Sequence, residues 1–325
     1  MLNNLKKPKT IFYIHQCLLL WIYQHNYKLI KIYKLYQLAK YVVSLVPLEN
    51  DYLFKKWGIC SILMNNFITY EYYSIIPSDL SSKMIVMVGR ANDRMKRFKF
   101  GITIMKYIIK EIPDSTMVII SSEISKIKNY TRILKLEKFI KFVGYSSKPE
   151  IYYRNASLHI LTSICESFGL VVAETKVYGI PNILIGIDYI SVAKGGTIII
   201  YDDNPETISK EAIKILKNDE YRRKLGKEAR ESMIKFNNNL LFKKWIKLIL
   251  SVYNGEKYYQ RLREQDDKIS ENVALNILNN QLNLLKRRIP NLKYMSTKHF
   301  ENLTIMENIK QQKNKLVSKF SKDRF

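Results

Sequence analysis

Two short stretches hold the residue types best suited to chemistry. The first is Gly89-Arg90-Ala91-Asn92-Asp93-Arg94-Met95-Lys96-Arg97, directly behind an apolar run. Arg90 and Lys96 are cations of different kinds, a planar guanidinium and a compact ammonium. Together they can neutralise the oxygens of a diphosphate without moving a proton, and Gly89 permits the tight turn that would aim them. The second is Glu166-Ser167-Phe168-Gly169-Leu170-Val171-Val172-Ala173-Glu174, also behind an apolar run. Ser167 is placed to cap a helix that ends at Gly179, with Pro181 just beyond. The N–H groups at such a helix start favour an anion. Gly169 has no side chain, so a phosphate or sugar can approach its backbone. Glu166 and Glu174 can accept hydrogen bonds from sugar hydroxyls. Each reading has a plainer rival. A basic loop is more often simply solvated, a Glu at a helix start steadies the dipole, and Glu174 can be a surface residue.

The elements around these stretches decide more. Met84–Val88, Thr116–Ile120, Phe139–Val143, Leu158–Thr162, Asn182–Ile185 and Thr197–Ile200 read as strands. They are near-continuous apolar runs, so both faces are expected to be buried, as in a parallel sheet. Helical patterns fall near 98–111, 148–155, 168–178, 205–217, 219–235 and 239–253. The alternation predicts an α/β fold with a doubly wound, Rossmann-like parallel sheet. Both chemical stretches then follow strands, at the edge where such sheets bind ligands.

Composition narrows the classes. The 325 residues carry 54 Lys+Arg against 29 Asp+Glu, a formal net charge of +25, with 47 % hydrophobic and 12 % aromatic residues. That is too apolar for a disordered chain. Cys17, Cys60 and Cys165 are scattered, with no CxxC, which excludes a disulfide scaffold and a zinc site and fits a cytoplasmic protein. The charge fits solvated surface, phosphate-bearing ligands or peripheral contact with an anionic membrane. No nucleic-acid-binding signature accompanies it, and no GxGxxG speaks for a nicotinamide enzyme. The apolar run from Ile11 to Tyr23 is too short to span a bilayer and reads as a helix packed inside the fold, or else an interfacial one.

The ordered set of motifs is more specific than any member. An EX7E element with Phe-Gly after its first Glu follows a G-R-x5-K element and precedes a helix-G-I-P-strand segment. With Phe142-Val143-Gly144 and Tyr152…Asn155-Ala156-Ser157, it resembles the retaining GT-B glycosyltransferases of the GT4 type, the "glycosyl transferases group 1". The resemblance covers roughly residues 40–253. It implies a nucleotide-sugar donor and a glycan, lipid or protein acceptor, with neither cofactor nor metal. It implies that Arg90 and Lys96, behind Gly89, hold the donor diphosphate. Glu166 would contact the sugar hydroxyls, the segment Ser167, Phe168, Gly169 and Leu170 would lie against sugar and phosphate, and Glu174 would bind the ribose. Gly144 and Tyr145 would flank the nucleobase.

The N-terminal side departs from that family. The domain divisions expected are 1–82 as a partial acceptor-side segment and hinge, 83–237 as the donor domain, 238–254 as a cross-over helix and 255–325 as a helical, basic extension. About 80 residues are too few for a second Rossmann domain, and no Gly-rich loop precedes Gly58. The chain is therefore expected to lack most of the acceptor domain and to show little transfer alone. The alternative is a nucleotide-sugar-binding remnant or accessory subunit. His15 and His25 are expected to be structural or surface residues.

Overall fold

The computed structural model describes residues 10–14, 26–70, 72–90, 94–256, 258, 283 and 287. The chain forms two compact units, one of Met1–Met64 with Lys247–Phe325 and the other of Asn65–Ile246.

The second unit is built on six parallel strands: β4 (Met84–Val88), β5 (Thr116–Ile120), β6 (Ile140–Gly144), β7 (Leu158–Leu161), β8 (Asn182–Ile185) and β9 (Thr197–Ile200). Their spatial order is β6-β5-β4-β7-β8-β9. From β4 the chain winds outward through β5 and β6, then returns to set β7 on the other side of β4, with Ile85 opposite Leu158. The order reverses between β4 and β7, and the crevice at their carboxyl ends is the switch point where such sheets take ligands.

Side chains alternate across β4 as the pleat requires. Ile85 and Met87 face a core shared with α3 (Phe98–Glu111) and α7 (Pro205–Lys217), through Ile102, Met105, Ile208 and Ile215. Val86 faces the other core, with Val118, Tyr153, Ala156 and Tyr178. Layers on both faces explain why the strands read as continuous apolar runs. Between them lie α4 (Ser125–Ile133), α5 (Glu150–Tyr153) and α6 (Leu170–Val177), and α8 (Asp219–Glu231) follows α7. The sequence pattern missed α4: only Ile127 and Thr131 of it are buried, too few to mark an apolar stripe.

In the first unit three short parallel strands, β1 (Ile11–Tyr13), β2 (Tyr41–Ser44) and β3 (Ile62–Leu63), lie in that order. The helix expected over 11–23 is corrected at its start, since Ile11–Tyr13 is a strand paired with Tyr41–Val43. A short run of Ile, Phe and Tyr has no period to distinguish strand from helix, and a paired edge favours the strand. Residues 15–25, with His15, Cys17 and His25, lie outside the described residues, as does nearly all of 255–325. α1 (Asn26–Leu38) precedes β2. The polar residues Glu49, Asn50 and Asp51 sit inside a helix, α2 (Pro47–Trp57). Pro47 presets its first turn and Glu49 meets the positive end of its dipole.

The last described helix, α9 (Asn238–Asn254), groups with the second unit up to Ile246 and with the first from Lys247. Among the described residues no helix is long and apolar enough to cross a membrane.

Candidate functional site

Two loops meet at the switch point. The loop after β4 closes with a short 3-10 turn, Arg94–Lys96, and places Arg97 in the left-handed region at φ 49°. The Arg97 guanidinium binds Asp203 at 2.8 Å and stacks 4.1 Å over Phe100, which holds that unusual backbone in place. The loop after β7 is stitched to it. Thr162 Oγ1 donates to the Lys96 carbonyl at 2.6 Å, and the Ile164 N–H donates to the Met95 carbonyl at 2.7 Å.

With both backbones fixed, Lys96 Nζ donates to Glu166 Oε1 at 2.5 Å. Their side chains are only 21 % and 13 % exposed, so the pair is poorly screened. The Glu166 N–H donates to the Tyr189 hydroxyl at 3.0 Å. Beside the pair lies a cavity of about 190 Å³, lined by Asn66, Lys96, Leu161, Glu166, Ser167, Phe168, Gly169, Leu170 and Val171.

The helix start is corrected. Ser167 does not cap α6. The cap position is Gly169, at φ 82°, and no side chain bonds the first turn. A side-chain cap acts from the residue just before the helix, and Ser167 stands two residues ahead of that position. The positive φ favours glycine at 169, and a Cβ there would also lie 2.7 Å from Ile190 Cδ1, the movable end of that side chain. Phe168 is buried and packs edge-on against Phe236, anchoring the turn.

The remaining candidates are placed around this cavity. Gly89 directly follows β4, with Lys96 Cδ and Phe98 within ordinary contact of where its Cβ would be. Arg90 follows it, exposed at the strand end and not among the cavity-lining residues. Gly144 ends β6 at φ 73°, its carbonyl accepting the Ser121 N–H at 2.9 Å, and Tyr145 beside it is 81 % exposed. Glu174 is no surface residue. Burial raises its pKa, partly offset by hydrogen bonds from the Tyr153 hydroxyl at 3.1 Å and Thr69 Oγ1 at 3.4 Å. The structure thus unites Lys96, Glu166 and the 167–170 turn in one cavity, with Gly89 beside Lys96, but not Arg90, Gly144, Tyr145 or Glu174.

Asn66, Thr69, Tyr153, Thr162 and Tyr189 support the site and carry no motif that marks them. Below it, buried His159 shares a hydrogen bond between its Nδ1 and Asn182 Oδ1, an oxygen that also accepts from Thr175 Oγ1 at 3.1 Å. Burial pushes His159 down to about 4, and the Lys96 charge acts in the same direction, so the ring is neutral near pH 7. Among the described residues no group of three His, Cys, Asp or Glu could hold a metal ion. Cys60 and Cys165 are free thiols.

These features define a Rossmann-like α/β domain with a polar, partly buried crevice at its switch point. Over residues 73–232 the chain matches the family model described as "Glycosyl transferases group 1". It is 25 % identical over 186 residues to the poly(glycerol-phosphate) alpha-glucosyltransferase of Bacillus subtilis, an alignment covering 54 % of this chain and 28 % of that enzyme. Its fold, mixed α/β with Rossmann-like parallel sheets of the GT-B kind, is shared with solved structures. One is a variant of S. aureus TarM in complex with fondaparinux, alpha-GlcNAc-glycerol and UDP (TM-score 0.63, 17 % identity, 74 % of this chain and 50 % of that one). Another is the sucrose-phosphate synthase of Thermosynechococcus elongatus (TM-score 0.63, 18 % identity, 76 % and 68 %). The chain thus spans about half the length of TarM and less of the curated relative.

Proposed function

We propose that this chain carries the donor-binding half of a retaining glycosyltransferase, which moves a sugar from a nucleotide-sugar to a hydroxyl on a glycan, lipid or protein acceptor. The observation that carries the proposal is the meeting of Lys96 and Glu166 at 2.5 Å across the switch point, beside the Phe168–Leu170 turn. An ammonium suits phosphate oxygens and a carboxylate suits sugar hydroxyls, and here each fixes the other's position. Arg90, from the same loop as Lys96, is assigned to the diphosphate as well. Glu174 is assigned to the ribose, Gly144 and Tyr145 to the base, and Gly89 to the turn that lets the loop reach the ligand.

In the proposed reaction the bond from the anomeric carbon to the diphosphate breaks while the acceptor oxygen bonds to the same face of that carbon. The leaving diphosphate takes the acceptor's proton, and Lys96 and Arg90 stabilise the charge that develops on it. Cationic side chains supply the charge, so the reaction is proposed to need no metal and no cofactor besides the donor. A cytoplasmic location, with peripheral contact at an anionic membrane surface, accords with the net charge of +25.

The test is calorimetry with UDP, GDP and ADP in EDTA. Binding of at least one is expected, and silence from all three at millimolar concentration overturns the assignment. Binding without any donor consumption in the presence of membrane-extract acceptors would make the chain an accessory donor-binding protein.

A further inference from the structure

Lys176, near the end of α6, is fully buried. Its ammonium donates to the carbonyls of Val192 at 2.6 Å and Lys194 at 2.8 Å, and among the described residues no carboxylate pairs with it. Both carbonyls belong to the loop of residues 186–196 that joins β8 to β9. That loop also makes the two contacts that hold the cavity turn from outside. Its Tyr189 hydroxyl receives the Glu166 N–H at 3.0 Å, and its Ile190 and Val192 side chains fill the space that a Cβ on Gly169 would enter. An uncompensated amine in an apolar interior is unfavourable, and burial pushes Lys176 down to about 7, with Lys235 adding to the effect. A methionine would fill the same volume without that penalty, but it would leave both carbonyls unpaired.

We propose that Lys176 is a positioning residue: by tying the β8–β9 loop down at Val192 and Lys194, it sets Tyr189 and Ile190 and through them the Glu166 amide and the Gly169 turn. The inference rests on the assignment of Glu166 and that turn to the sugar end of the donor. Lys176 itself touches neither Glu166 nor the cavity. Its action is mechanical and passes through the stretch Tyr189–Lys194 of one loop. Ala193 continues the tie, its N–H donating to the Ile190 carbonyl at 3.0 Å, so the anchored end and the contacting end of the loop move together.

The test uses the full chain with Lys176→Met and, separately, Tyr189→Phe. Hydrogen exchange of the free protein is read first. Lys176→Met is expected to speed exchange about tenfold or more over both 187–194 and 164–170, since even one of its two lost charged hydrogen bonds is worth that much, with β4 and β5 unchanged. Tyr189→Phe removes one hydroxyl and is expected to loosen 164–170 alone, which keeps the inference testable if Lys176→Met does not fold. Calorimetry then compares UDP with UDP-glucose and UDP-N-acetylglucosamine. Lys176→Met is expected to leave UDP within about twofold of wild type while the extra affinity conferred by the sugar is lost. Wild-type exchange over 164–170 in either variant overturns the proposal, and so does equal loss of UDP and UDP-sugar, which would make Lys176 a general stabiliser. If wild type binds UDP no better than GDP or ADP, the comparison uses the nucleotide that binds and its sugar forms; if it binds none of UDP, GDP and ADP, the donor assignment fails, while the exchange result still decides whether the loop is coupled to the turn.

Discussion

Glu166 and Glu174 are eight positions apart in sequence yet occupy different electrostatic settings, and their substitutions should separate by ligand. Glu166 is held by a cation, whereas Glu174 is desolvated and held by two hydroxyls. Glu166→Ala is expected to weaken nucleotide-sugar binding and spare the nucleotide, and Glu174→Ala to weaken both. Titration calorimetry decides, and equal losses across ligands would mean the roles are misassigned. Because burial raises the Glu174 pKa, its ionised, accepting form is gained only above the usual carboxylate range. Nucleotide affinity should therefore rise with pH through that region, and Glu174→Gln should flatten the rise. His159 makes a stability prediction. Its folded pKa of about 4 lies below the ordinary 6.5, so the unfolded chain takes up the proton first. The stabilising contribution is present above 6.5 and is lost as pH falls toward 4, by at most about 3 kcal/mol. His159→Gln should reduce the pH slope of urea unfolding in that window. Glutamates spaced as EX7E were legible in the sequence. Their settings were not, because Tyr153, Thr69 and Tyr189 arrive from other elements.

The α6 start shows how a familiar local pattern can yield a wrong local structure. Ser before an apolar run matches the pattern of a helix cap, but the left-handed turn at Gly169 delays the helix to Leu170. That turn can be tested directly. Gly169→Ala adds backbone strain of about 1–2 kcal/mol and a clash with Ile190 Cδ1. Adding Ile190→Val removes the clashing atom, so urea midpoints should recover in part, with the strain remaining. Full recovery would show that the positive φ is not what requires glycine. The strands of the second unit were legible because two-sided burial writes itself as continuous Ile, Val and Met. β1 and α2 were not, since a three-residue strand has no period and the apolar residues of α2 are interrupted by Glu49, Asn50 and Asp51.

At the scale of the molecule, each unit has its own strands and its own buried residues, so each is expected to unfold in its own transition. Calorimetric melting should resolve two steps. Nucleotide at one hundred times its Kd should raise only the step belonging to Asn65–Ile246, by about 2.7 kcal/mol. A single step raised as a whole would show that the units fold together. The strand order has a consequence during synthesis. β4 lies at the centre of the sheet, but its neighbour β7 begins about 70 residues later in the chain, after β5 and β6. At roughly 5–20 residues per second, the β4 edge that β7 will cover waits several seconds or more on the ribosome with its amides and carbonyls unpaired. The sheet can grow outward at once but can close inward only late. A nascent chain of this topology therefore presents an adhesive central edge before it presents a finished crevice, and its yield in the cell should depend on whatever shields that edge in the interval.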